Sequence, residues 1–114
     1  MTSELSAFDL VVVPFPYSDR LAEKRRPALV VSNAKLHGQG FAWIAMITGA
    51  GKEARVGDLA IKNLAEAGLP GASMVRASKI ATIEPDRILR RLGKIAAEER
   101  AAVRKAVLGF IAGE

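Results

Sequence analysis

Three basic residues in a row, Lys24, Arg25 and Arg26, stand directly before Pro27 and the apolar run Ala28 to Ser32. A guanidinium presents a planar fork of donors that matches two non-bridging phosphate oxygens, so this cluster can grip phosphate, although a basic run is more commonly a solvated face. The remaining reagents are few. There is no cysteine, which removes thiolate nucleophiles, disulfides and cysteine-based zinc sites. The single histidine, His37, excludes a His-rich metal centre and a two-histidine acid/base pair. His37 sits in a polar, Gly-rich stretch with no partner near it in sequence and reads as an exposed side chain. A formal net charge of +5, from 17 Lys and Arg against 12 Asp and Glu, favours a polyanionic partner such as nucleic acid or an acidic protein segment.

The elements that must hold these residues follow from apolar patterning. With 114 residues, half of them hydrophobic and a quarter charged, residues 1–114 read as a single folded domain. Strands are expected over 8–15, 28–32, 41–48, 58–61 and 73–83, rich in β-branched residues and bounded by Gly and Pro. Residues 17–26 read as a charged surface loop. Within the third strand the period of two puts Thr48 on the face of Ala42, Ile44 and Met46, at the strand's end. Asn63 and Glu66 have capping-box spacing, with Gly68 and Pro70 as stop signals. Pro85 and Gly93 suggest a short helix over 85–92, and Val103, Val107, Leu108 and Ile111 recur at helical spacing from Ala97 onward. Trp43 and that last stripe are expected in the core. The result is a mainly β domain, a small curved barrel or sheet with a C-terminal amphipathic helix packed on it.

The stretch Phe8-Asp-Leu-Val-Val-Val-Pro-Phe-Pro-Tyr-Ser-Asp19, followed by Lys24-Arg-Arg-Pro-Ala-Leu-Val-Val-Ser32, resembles the MazF/PemK toxins of toxin–antitoxin systems. Ile47-Thr-Gly49, Gly68-Leu-Pro-Gly-Ala-Ser-Met-Val-Arg76 and Lys79-Ile-Ala-Thr-Ile83 extend the resemblance over nearly the whole chain. It implies an SH3-like barrel, a homodimer, and a metal-independent endoribonuclease without cofactor that cuts single-stranded RNA. It also implies a cognate antitoxin with an acidic, flexible tail, and DNA binding by the toxin–antitoxin complex. The family's arginine before proline falls on Arg26 and its strand-end threonine on Thr48, the two implied catalytic positions. Ser73, Ser78 and Lys79 fall where the family places substrate-facing groups.

RNA cleavage through its own 2′-hydroxyl needs that proton removed, the extra negative charge of the phosphorane stabilised, and a proton delivered to the departing 5′-oxygen. Arg26 suits the second task, and Thr48 can donate a hydrogen bond to the same phosphate. A guanidinium stays protonated at neutral pH and is a poor base, which leaves water, Asp19, Glu23 or the substrate for the first. Lys24 and Arg25 can grip flanking phosphates, Tyr17 can stack on a base, and Ser18 and Asp19 can bond a base edge. Each of these has a plainer alternative as a surface, turn or packing residue, as do Ser78 and Lys79.

Met46 and Gly49 depart from the family's common proline and serine, and Ala96-Ala97 lacks the usual serine-like helix cap. Two other functions remain compatible with the residues. One is a non-catalytic nucleic-acid-binding module using the same basic rim. The other is a toxin of the CcdB kind acting on a protein such as gyrase through Phe110 and Ile111. Glu4 and Asp9 near the N-terminus and the lack of any apolar run of about 20 residues lead to the expectation of a soluble cytoplasmic protein without a membrane partner.

Overall fold

A computed structural model describes residues 5–14 and 25–113. Among these described residues six strands form one antiparallel sheet: β1 Asp9–Pro14, β2 Arg25–Val30, β3 Ala42–Gly49, β4 Asp58–Ala60, β5 Ser73–Ile83 and β6 Arg90–Lys94. Their order is β4-β5-β3-β2-β1-β6, an open list whose two ends do not hydrogen-bond to each other. Three α-helices among the described residues accompany it: α1 Ala34–His37, α2 Leu64–Ala67 and α3 Ala97–Leu108. No helix among the described residues is long and apolar enough to cross a membrane.

The alternation of apolar residues sends side chains to two faces, each with its own core. Val11, Val13, Ala28, Val30, Ile44, Ala81 and Ile83 share one face with Leu5 and Ile88. Leu10, Leu29, Ala45, Ile47 and Val75 point the other way, toward Ile95 and toward Val103 of α3. Between them β5 changes register. Ala45 pairs with Ile80 but the next residue, Met46, pairs with Arg76, so Ala77, Ser78 and Lys79 have no counterpart on β3. Extra residues on one strand bend it and increase its twist, and here the bend lets the first part of β5 also pair with β4.

Two expectations are corrected. Residues 85–92 do not form a helix: Pro85–Arg87 make one 3-10 turn and the chain then pairs with β1 through Val11↔Arg91 and Val12↔Arg90. Gly93 is therefore a strand residue, and its lack of a side chain has a packing cause. A Cβ there would lie 2.2 Å from the Glu66 carbonyl oxygen, and one on Gly68 (φ 75°) would lie 2.2 Å from that of Leu92. The close approach of α2's end to β6 depends on both glycines.

The second correction concerns the core. Val103 is buried, but Trp43 is 44% exposed and Leu108 and Ile111 54% each. Trp43 shares a face with Ala45 and Ile47, yet α3 reaches only part of that face. Its last turn, with Phe8, Val31 and Trp43, instead borders an open cleft of about 300 Å³. The capping box is present, with Asn63 Oδ1 accepting from the Glu66 N–H at 3.0 Å and Asn63 Nδ2 donating to Glu66 Oε1 at 3.3 Å. The cap missing from the sequence at Ala96 is missing here also.

Candidate active site

Arg26 belongs to a strand, where the charge of its neighbourhood had suggested a loop. It pairs with Val13, and Arg25 with Pro14, because the β1 partner extends that far. On its other side β2 meets β3 in the register Val30↔Ile44, Leu29↔Ala45, Ala28↔Met46, where the joint ladder ends. Two residues further along each strand, on the face of Ala28 and Met46, stand Arg26 and Thr48. They share a face on adjacent strands but are not themselves a ladder pair. Both residues are half-buried. Among the described residues no carboxylate forms an ion pair with Arg26.

On its far side Thr48 pairs with Met74 of β5, and Met46 with Arg76. The bulge that carries Ser78 and Lys79 begins just beyond Arg76, so both residues lie one strand away from Met46. Ser78 is exposed and Lys79 half-buried. Tyr17, Ser18, Asp19 and Lys24 lie outside the described residues, as does Glu23. Arg25 is exposed at the start of β2.

Sequence reasoning missed the most constrained charge on this face. The Arg76 side chain, 9% exposed, is bidentate on Asp58: Nε donates to Oδ1 at 3.0 Å and Nη2 to Oδ2 at 2.9 Å. Nη2 also donates to the Glu53 carbonyl at 2.9 Å. The hydrogen bonds from Arg76, helped by the Arg55 N–H, hold the Asp58 carboxyl below the usual carboxylate range against the opposing effect of burial. The same bonds raise the Arg76 pKa. The signal in the sequence was a charged residue inside the apolar stretch Met74-Val75-Arg76-Ala77, which burial tolerates only with a partner.

Two other polar groups are accounted for structurally. Asp9, fully buried, accepts from Lys94 Nζ at 2.9 Å and from the Ser6 N–H at 2.9 Å, with Arg91 at 3.8 Å. His37 is not the exposed, partnerless histidine expected. It is half-buried, with Nε2 2.7 Å from the Ser32 hydroxyl, which also accepts from the Trp43 N–H. Among the described residues no three His, Asp or Glu side chains gather to hold a cation.

A family model described as the PemK-like, MazF-like toxin of type II toxin–antitoxin systems matches residues 6–111. Solved structures agree with the fold. The Mycobacterium tuberculosis toxin MazF-mt6 superposes with a TM-score of 0.71 at 19% identity, covering 89% of this chain and 93% of that one. MazF from Deinococcus radiodurans gives 0.70 at 25% identity, covering 93% and 97%. The MazE-MazF structure from the same organism gives 0.72 at 21%, covering 96% and 97%. No curated protein matches the chain.

Proposed function

Because the chain belongs to the PemK-like, MazF-like toxins of type II toxin–antitoxin systems, we propose that it is an endoribonuclease that cuts single-stranded RNA through the RNA's own 2′-hydroxyl. The observation that carries this reading is the placement of Arg26 and Thr48 on one face, two residues past Ala28↔Met46 on adjacent strands. That spacing fits a single phosphate between a guanidinium fork and a hydroxyl.

In the reaction the 2′-hydroxyl gives up its proton to a base as its oxygen attacks phosphorus, the bond from phosphorus to the 5′-oxygen breaks, and the departing 5′-oxygen takes up a proton. The products are a 2′,3′-cyclic phosphate and a 5′-hydroxyl. Arg26 stabilises the charge that builds on the non-bridging oxygens, an effect that preorganised donors exert most strongly in a partly dried site. Thr48 donates to the same oxygens. Asp58 is a poor base, because the hydrogen bonds from Arg76 hold its carboxyl below the usual carboxylate range. The base is then water, a carboxylate such as Asp19 or Glu23, or the substrate itself. Lys24, Arg25, Ser78 and Lys79 grip flanking phosphates, and Tyr17, Ser18 and Asp19 meet the bases. The reading extends to the assembly and setting: the curled sheet as an SH3-like barrel, a homodimer, and action in the cytoplasm. It includes an antitoxin whose acidic tail meets the net charge of +5 and DNA binding by the complex of the two.

Incubation of single-stranded RNA with the purified protein in EDTA tests it. Cleavage with cyclic-phosphate ends, lost in Arg26→Ala, is the expected result. RNA that stays intact, or activity that survives Arg26→Ala, overturns the assignment. The exposed side chains of Phe110 and Ile111 keep a protein target in view as a second reading. Toxicity that survives Arg26→Ala but not changes at those two positions would favour it.

A further inference from the structure

We propose that Arg76 and Asp58 form a clamp that positions Thr48 for RNA cleavage, without touching the RNA. The inference rests on the cleavage reading above and adds two positioning residues to it.

Thr48 is the penultimate residue of β3, and the chain then runs through residues 50–57 to β4. Nothing in the composition of that connection, Ala-Gly-Lys-Glu-Ala-Arg-Val-Gly, gives it a core of its own. Its side chains are exposed from Ala50 to Val56. What holds it is a set of bonds converging from β5. Arg76 Nη2 takes the Glu53 carbonyl and, with Nε, both oxygens of Asp58. Asp58 Oδ2 in turn accepts from the Arg55 N–H at 2.8 Å. Nearer Thr48, the Ala50 N–H donates to the Ala72 carbonyl. The strand end is thus held by its pairing with β5, and the connection that follows it by the clamp from the same strand.

The same guanidinium stands at the base of the bulge. Arg76 is the last residue of β5 in register with β3 before the shift, and the next N–H, that of Ala77, donates to the Gly57 carbonyl at 3.2 Å. Ser78 and Lys79 follow within β5, opposite no residue of β3. Arg76 lies one same-face step from Met74, the partner of Thr48, but its donors aim at β4, away from β3. It acts through the backbone it fixes. Only a planar fork can satisfy two carboxylate oxygens and a carbonyl together, so Lys is no substitute.

The test is a double-mutant cycle on the full chain. Single-turnover kcat, corrected for folded fraction by circular dichroism, is measured for Asp58→Asn alone and in a Thr48→Val background. Hydrogen exchange of the 47–57 peptide is followed in parallel. A displaced reacting group costs between about 10- and 100-fold in rate, so that loss in kcat with little change in KM is expected. It should shrink to less than about 2-fold once Thr48 is already gone, as sites acting through one another are non-additive. Exchange over 47–57 should rise while that of α3 stays unchanged. Equal losses in both backgrounds, or unchanged exchange in an active protein, overturn the clamp. A wild-type protein that cleaves no RNA instead overturns the cleavage reading, whatever the exchange shows, and with it the catalytic role of the pair. Arg76→Lys supplies the same comparison if Asp58→Asn does not fold.

Discussion

Arg26 on β2 and Thr48 on β3 occupy the same face of the sheet, each two residues beyond Ala28↔Met46, the last pair that joins their strands. Past that point the two strands are still held by their other neighbours, β2 by Val13↔Arg26 and β3 by Thr48↔Met74. Both strand ends therefore keep a backbone partner although they do not pair with each other.

That arrangement predicts unequal consequences for the two side chains. Arg26→Ala should lower kcat at least about 100-fold, the loss typical of one preorganised charge-stabilising donor. Arg26→Lys keeps the charge but not the fork and should recover only part of it. Thr48→Val, which preserves shape and removes the hydroxyl, should cost less than Arg26→Ala. Rates on a short single-stranded RNA give the ranking, and a Thr48→Val variant slower than Arg26→Ala would invert the roles.

Binding should be strongly salt-dependent. If Lys24, Arg25 and Arg26 each neutralise one phosphate, single-strand counterion release gives a log–log slope near −2 and about a 20-fold weakening between 50 and 200 mM salt. Arg25→Ala should make the slope shallower by about 0.7 while leaving the cleaved sequence unchanged. Fluorescence anisotropy with a 2′-O-methyl RNA, which binds but cannot be cut, measures both. A slope indifferent to Arg25 would remove that residue from the phosphate path.

Much of the sheet was legible because β-branched runs with period-two alternation state their own faces; β5 was read from Ser73 to Ile83, as observed. What escaped was decided by partners distant in sequence. Arg90 to Lys94 carries no strand signal of its own and becomes β6 because the edge of β1 is available to pair, a case of tertiary context overriding local preference. Arg25 and Arg26 are strand for the same reason. The pairing of Arg76 with Asp58 has no spacing rule, being made across two strands. Trp43 and Ile111 were placed in the core from their period, but periodicity gives a face and not the extent of what covers it. The choice of Arg26 and Thr48 came from family resemblance, since neither residue's type nor its local spacing singles it out.

The approach of α2 to β6 should be the least forgiving glycine contact in the molecule. Gly93→Ala drives a Cβ to 2.2 Å from the Glu66 carbonyl oxygen and 2.7 Å from the Ala67 carbonyl carbon, both backbone atoms that no rotamer change can move. Overpacking of this kind costs about 1–3 kcal/mol. Gly71→Ala is the control: nothing lies within 4 Å of its added methyl, and the stiffer unfolded chain should leave stability unchanged or raised by about 0.5 kcal/mol. Urea unfolding midpoints of the two variants should therefore move in opposite directions or only one should move. Equal midpoints would mean that α2 is free to shift away from β6.

The Asp58 carboxyl gives the fold an acid-side sensitivity of known sign. Its pKa is lower in the folded chain than the ordinary carboxylate value because Arg76 donates two hydrogen bonds to its charged form. The unfolded state therefore takes up the proton first as pH falls. The stabilisation is fully present above the ordinary carboxylate pKa of about 4 and is lost as pH drops through the lower, folded value. Asp58→Asn cannot titrate, so at pH 7 it should unfold at lower urea than the wild type. The gap between the two midpoints should stay constant from pH 7 to pH 5 and narrow below pH 4, because only the wild type is losing an ion pair there. Midpoints at pH 7, 5 and 3 provide the comparison. A gap that persists undiminished at pH 3 would show that the carboxyl's hydrogen bonds, and not its charge, are what Arg76 holds.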